Sequence, residues 1–75
     1  MTPEKAFGAV LSEIRKKKEI SQEKLAGISG LDRTFISLLE RGQRQPSLTS
    51  ILTLSKALEI KPEKLISDVA KLLEK

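Results

Sequence analysis

Apolar residues recur in this chain at helical spacing, in short runs, and each run is bracketed by residues that start or stop helices. Nowhere do β-branched or aromatic residues alternate with polar ones over the length of a strand. Thr2-Pro3 opens a first helix, because threonine caps well and proline suits a first turn whose N–H groups are unpaired anyway. Phe7, Val10, Leu11 and Ile14 then make one stripe, and Arg15 to Lys18 close the helix where cations suit its negative end. Ser21 caps a second helix that carries Leu25 and Ala26 inward and stops at Gly30. Asp32 caps a third, with Ile36 and Leu39 inward and Gly42 as its stop; Gln43 to Pro46 read as a polar loop. Ser47 caps a fourth, with Leu48, Ile51, Leu52, Leu54, Ala57 and Leu58 as its apolar set. Pro62 opens a fifth over 62–74 whose apolar side holds Leu65, Ile66, Val69, Leu72 and Leu73. Five short helices with brief connections predict a compact all-α domain. No internal repeat and no low-complexity segment stands out.

Seventy-five residues make one domain, 1–75, with a marginal core and no room for an effector-sensing unit, so no small-molecule effector is expected. The chain has no Cys and no His, which removes disulfides, the usual zinc sites and the usual general base. No phosphate-cradling glycine loop or inward carboxylate pair replaces them; an enzyme is not expected, nor a cofactor or metal. No membrane span or signal peptide is apparent, so a cytoplasmic location is the expectation. Lys and Arg outnumber Asp and Glu by 14 to 10, and the net charge of +4 favours an anionic partner, of which nucleic acid is the commonest.

The segment 22–41 carries the functional signal. Two short helices meet across Gly30 in the manner of a helix-turn-helix. Small Ala26 lets the helices cross closely, and Gly30 supplies a positive φ that a Cβ would penalise. With Leu25, Leu31, Ile36 and Leu39 turned in, Arg33, Thr34, Ser37 and Arg41 share the outward face, able to bond base edges or phosphates. Some assignments stay open on spacing alone. An ordinary helical hairpin fits the same pattern. Lys16 to Lys18 read more simply as a solvated helix end than as a DNA contact. Phe35 suits the core as well as a DNA surface, and Arg15 and Glu40 read as unrelated surface charges.

The run Ser21-Gln-Glu-Lys-Leu-Ala-Gly-Ile-Ser-Gly-Leu-Asp-Arg-Thr-Phe-Ile-Ser-Leu-Leu-Glu-Arg-Gly resembles the Cro/C1-type (XRE) helix-turn-helix family. Phe7-Gly8, Arg15, Pro46-Ser47-Leu48 and Ala57-Leu58 extend the likeness over roughly residues 5 to 66. Leu31 to Ser37, with Glu40-Arg41 and Arg44, is similar to the controller proteins of restriction–modification systems, although phage repressors share much of it. The resemblance implies a lambda-repressor-like five-helix fold and a transcriptional regulator that binds double-stranded DNA as a homodimer on a pseudo-palindromic operator. A phage or plasmid repressor is the nearest alternative, and an antitoxin or protein-interaction adaptor a more distant one. By the same resemblance Arg33, Thr34 and Ser37 read bases, while Gln22 touches a phosphate. Phe35 lies against sugar or a thymine methyl, Arg44 reaches the backbone or groove edge, and Arg15 pairs with Glu40; Arg41, from its place on the outward face, is counted with the backbone or groove-edge contacts. Glu19 and Glu59 depart from the family, standing at helix ends where glycine is usual; Ile28 and Leu38 stand where polar residues are usual. These departures bear on stability more than on reading.

Leu65, Val69 and Leu72 recur at near-heptad spacing beyond the family's four-helix body, with Ile66 and Leu73 alongside. In a small domain such a stripe gains by burial against its twin, and Leu65, Val69, Leu72 and Leu73 are therefore the expected dimer interface. The plainer possibility is that the fifth helix completes the core, with Leu65 and Ile66 inside.

Overall fold

A computed structural model describes all residues 1–75. Five helices run in order: α1 Pro3–Lys17, α2 Gln22–Ser29, α3 Arg33–Glu40, α4 Leu48–Ala57 and α5 Pro62–Leu73. The side chains of Thr2, Ser21, Asp32 and Ser47 each accept a hydrogen bond from a backbone N–H in the first turn that follows, which satisfies a donor the helix itself leaves unpaired. Lys61 gives α5 no such side-chain cap; Pro62 alone begins it. No helix is long and apolar enough to cross a membrane.

α1 is the spine, packing against α3 on one side and α5 on the other, while α2 lies across α3 and α4. The core joins Phe7, Val10 and Leu11 to Leu25, Ile36, Leu39, Leu54, Leu58 and Leu65. Gly8 sets the α1–α3 distance. A Cβ there would meet the backbone oxygens of Leu39 and Glu40, the latter at 2.7 Å, so only glycine lets the two backbones come together.

Two turns repeat one design. Residues 16–25 (KKKEISQEKL) and 56–65 (KALEIKPEKL) agree at six of ten positions, so a short repeat is present where the sequence reading finds none. In the first turn Glu19 N–H donates to Lys16 O and Ile20 N–H to Arg15 O; in the second Glu59 N–H donates to Lys56 O and Ile60 N–H to Ser55 O. This paired closure needs a left-handed residue after the helix. Glu19 (φ 58°) and Glu59 (φ 56°) take that role, at the positions where the resemblance implies glycine. Leu25 and Leu65 then enter the core at equivalent places.

The apolar face of α5 needs correction. Leu65 is 0% exposed, and Val69 and Leu72 pack half-buried on the same core. Leu65 is therefore withdrawn from any interface, while Val69 and Leu72, on the face the helix turns to its own domain, keep only part of their surface outside. Ile66, expected inside, is instead 46% exposed, and Leu73 is 38% exposed; with exposed Ala70 they form the outer apolar flank. On α4, Leu54 and Leu58 point inward, whereas Leu48 (73% exposed) and Leu52 lie outside the core.

Candidate DNA-binding face

Asp32 Oδ1 accepts from Thr34 N–H at 3.0 Å, which fixes where α3 begins. Arg33 and Thr34 are exposed in its first turn, Ser37 is half-buried one turn on, and Arg41 is exposed at its end. Ile36 and Leu39, on the opposite side, are fully buried. This division orients the helix, since rotating α3 outward would expose both aliphatic side chains, each worth about 1.5–3 kcal/mol in burial. Arg41 Nε leans back toward Ser37 O, at the long distance of 3.4 Å.

Beneath this face lies a polar joint between three helices. Arg15 Nε donates to Glu40 Oε2 at 2.6 Å and Nη2 to Glu40 Oε1 at 2.9 Å, a two-pronged pair. Its third donor, Nη1, reaches Ile20 O at 2.7 Å and ties in the α1–α2 turn. The side chains are 11% and 6% exposed, so the pair is largely withdrawn from solvent. Burial pushes the Glu40 carboxyl upward, but hydrogen bonds from Arg15 and Gln22, with the nearby Arg15 and Lys16 charges, outweigh it and hold the group below its ordinary value. The Glu40 hydrogen bond raises Arg15 in turn, against the opposing effect of burial. The one carboxylate within α3 is thereby neutralised and turned from the reading side.

Gln22, assigned by resemblance to a phosphate, gives its amide nitrogen to Glu40 Oε1 at 3.0 Å. The side chain is thus held by the joint, with one N–H and its carbonyl oxygen left for another partner. Nothing in the sequence spacing signals this bond. Phe35 is half-buried against the core, and the Arg44 guanidinium sits 5.7 Å from its ring centroid. The ring therefore serves packing and also steadies the exposed Arg44 from the loop after α3. Lys16, Lys17 and Lys18 are exposed at the end of α1, and Lys17 pairs with Glu13 at 3.1 Å. The dimer residues proposed from sequence lie apart from this face, on α5.

The side chains brought together are a fork-shaped donor, two hydroxyls and two further arginines around one exposed helix. That set suits hydrogen bonding to base edges and phosphates. Comparison with known proteins agrees. A helix-turn-helix family model matches residues 11–65. The chain is 48% identical over 61 residues to the control protein C.BamHI of Bacillus amyloliquefaciens, covering 80% of this chain and 75% of that one. It is 41% identical to C.MunI of a Mycoplasma species, covering 87% and 89%. Among solved structures, the restriction–modification controller C.AhdI of Aeromonas hydrophila superposes with a TM-score of 0.80 at 50% identity, covering 83% of this chain and 94% of that one. The wild-type controller C.Esp1396I superposes at 0.90 and 32% identity, over 100% and 99%. The chain belongs to the Cro/C1-type helix-turn-helix family of DNA-binding transcriptional regulators.

Proposed function

We propose that this protein is the controller of a restriction–modification operon, binding a pseudo-palindromic operator as a homodimer in the cytoplasm. The observation that carries the reading is α3: its first turn is capped, exposed and free of competing internal bonds at Arg33, while Glu40 and Gly8 lock its other side. Each α3 enters a major groove, and two-fold symmetry sets the half-sites about 34–36 Å apart. Arg33 bonds a guanine through O6 and N7; Thr34 and Ser37 complete the reading. Gln22, Arg41 and Arg44 hold phosphates, which fixes register without reading sequence. The dimer forms through the outer flank of α5, Ile66, Ala70 and Leu73, rather than the inward Leu65, Val69 and Leu72. An exposed apolar stripe on so small a domain is stabilised by its symmetric copy.

Footprinting on DNA upstream of the chain's own gene, combined with sedimentation, tests this. A symmetric footprint and a dimer are expected. Ile66→Lys with Leu73→Lys should yield a folded monomer with weak operator binding; an unchanged dimer refutes the interface. Arg33→Ala should relax preference at one base pair per half-site, a loss of about 1–3 kcal/mol in discrimination. Arg44→Ala should weaken all sequences evenly and reduce the salt slope by about one. Equal weakening of every sequence by Arg33→Ala would remove it from the base readers.

A further inference from the structure

Helix α5 has a second flank that neither the core nor the dimer stripe uses. At roughly 100° per residue, Lys64, Asp68, Lys71 and Lys75 lie on nearly the opposite side of the helix from Ile66, Ala70 and Leu73. This flank faces α1, and between the two helices runs a groove of about 430 Å³. Its floor is apolar: Val10 and Ile14 from α1, Ile60 from the turn and Leu72 from α5. Its rim holds five lysines and only two acids. Both acids are already engaged, Glu13 by Lys17 at 3.1 Å and Asp68 by Lys64 at 2.9 Å. Lys18, Lys71 and Lys75 line the rim, exposed and without an ion pair.

We propose that this groove is a docking site for an acidic amphipathic helix of a partner protein. The floor accepts the apolar edge of such a helix, and the unpaired lysines meet carboxylates on either side of it. A phosphate backbone fits less well, because it gains nothing from four aliphatic side chains. α1 separates the groove from α3, since these elements pack on different sides of it. The partner can thus be held while α3 occupies DNA and the outer flank of α5 occupies its twin, which goes beyond DNA reading and gives the bound regulator a handle for a second protein.

The test uses a fluorescent synthetic peptide with leucines on one helical face and glutamates on the other, and a scrambled peptide of the same composition. The amphipathic peptide should bind the full chain, more weakly as salt rises, and shift the NMR amide signals of Val10, Ile14, Ile60 and Leu72. Lys71→Gln with Lys75→Gln should weaken it roughly five- to tenfold. Removing the same charge elsewhere, by Lys24→Gln with Lys56→Gln, should change affinity less than twofold. Thermal melts confirm that both variants fold. The proposal is overturned by absent binding, by equal binding of the scrambled peptide, or by equal effects of the two lysine pairs. It is equally overturned if Lys71→Gln with Lys75→Gln lowers duplex-DNA affinity and its salt slope as strongly as peptide affinity, which assigns those lysines to the DNA backbone.

Discussion

The turns at 16–25 and 56–65 begin from nearly the same instructions and end in different service. Both close on a left-handed glutamate, tuck an isoleucine against the core and drive a leucine into it. Beyond that point they part. The first is capped by Ser21 and gripped by Arg15 through Ile20 O, so α2 starts at a defined place with Gln22 fastened to Glu40. The second has Ser55 where the first has Arg15, and Lys61 where the first has its serine cap. Its partner α5 is held by packing and by Pro62. The turn that leads into the helix-turn-helix is braced by side-chain hydrogen bonds; the turn that returns α5 to the core relies on its backbone closure and on packing.

The sharpest way to break this contrast is to remove the brace. Glu40→Ala leaves the Arg15 charge without its partner in a partly buried place, and Arg15→Ala does the reverse, so each should cost about 1.5–3 kcal/mol in urea melts. The double variant should cost less than the sum, and additive costs would mean that the pair carries no coupling. Acid should act on the same joint. A carboxyl held below its ordinary value stabilises the fold fully above the unfolded value of roughly 4.3 and loses that contribution as pH falls through its depressed folded value. Stability of the wild type should therefore fall more steeply in that acidic range than stability of Glu40→Gln, and parallel pH profiles would contradict the assignment. A smaller change makes the turns more alike: Lys61→Ser supplies α5 with the missing cap and should raise stability by about 1 kcal/mol. No gain in the melting midpoint would show that Pro62 already defines that end. Smallest are Glu19→Gly and Glu59→Gly, each expected to add about 0.5–1 kcal/mol by relieving the left-handed strain. Similar gains at both would confirm that the turns share one geometry, and destabilisation at both would show that side-chain strain is unimportant there.

Much of the fold is legible in the sequence. Caps and stops act locally, so Thr2, Ser21, Asp32 and Ser47, with Gly30 and Gly42, mark helix boundaries from neighbouring residues alone. Direction was harder. Counting apolar residues on α5 finds two stripes, and only the packing of α1 against α5 decides which one belongs to the domain. Leu65 belongs to the core and not to an interface for that reason, Val69 and Leu72 are shared between core and surface, and Leu48 and Leu52 show the same limit on α4. The Arg15–Glu40 pair lies across 25 residues of chain and was suggested by resemblance rather than spacing. Gln22's bond to Glu40 was invisible because an amide at a helix start looks the same whether it serves a phosphate or a neighbour. The paired turns escaped notice because their identities are scattered through ten residues and gain meaning only from the shared backbone closure.

The close approach at Gly8 bears on how such a regulator acquires new targets. Because α1 and the end of α3 meet backbone to backbone, the angle of the probe helix is set by main-chain atoms that side-chain exchange on its outer surface leaves alone. On the proposed reading, Arg33, Thr34 and Ser37 are interchangeable letters on a fixed type-block. New operators can be recognised by replacing those letters, one or two at a time, while the block is kept. Evolution and the protein engineer face the same rule: retargeting is inexpensive at the exposed positions and nearly forbidden at the glycine beneath them.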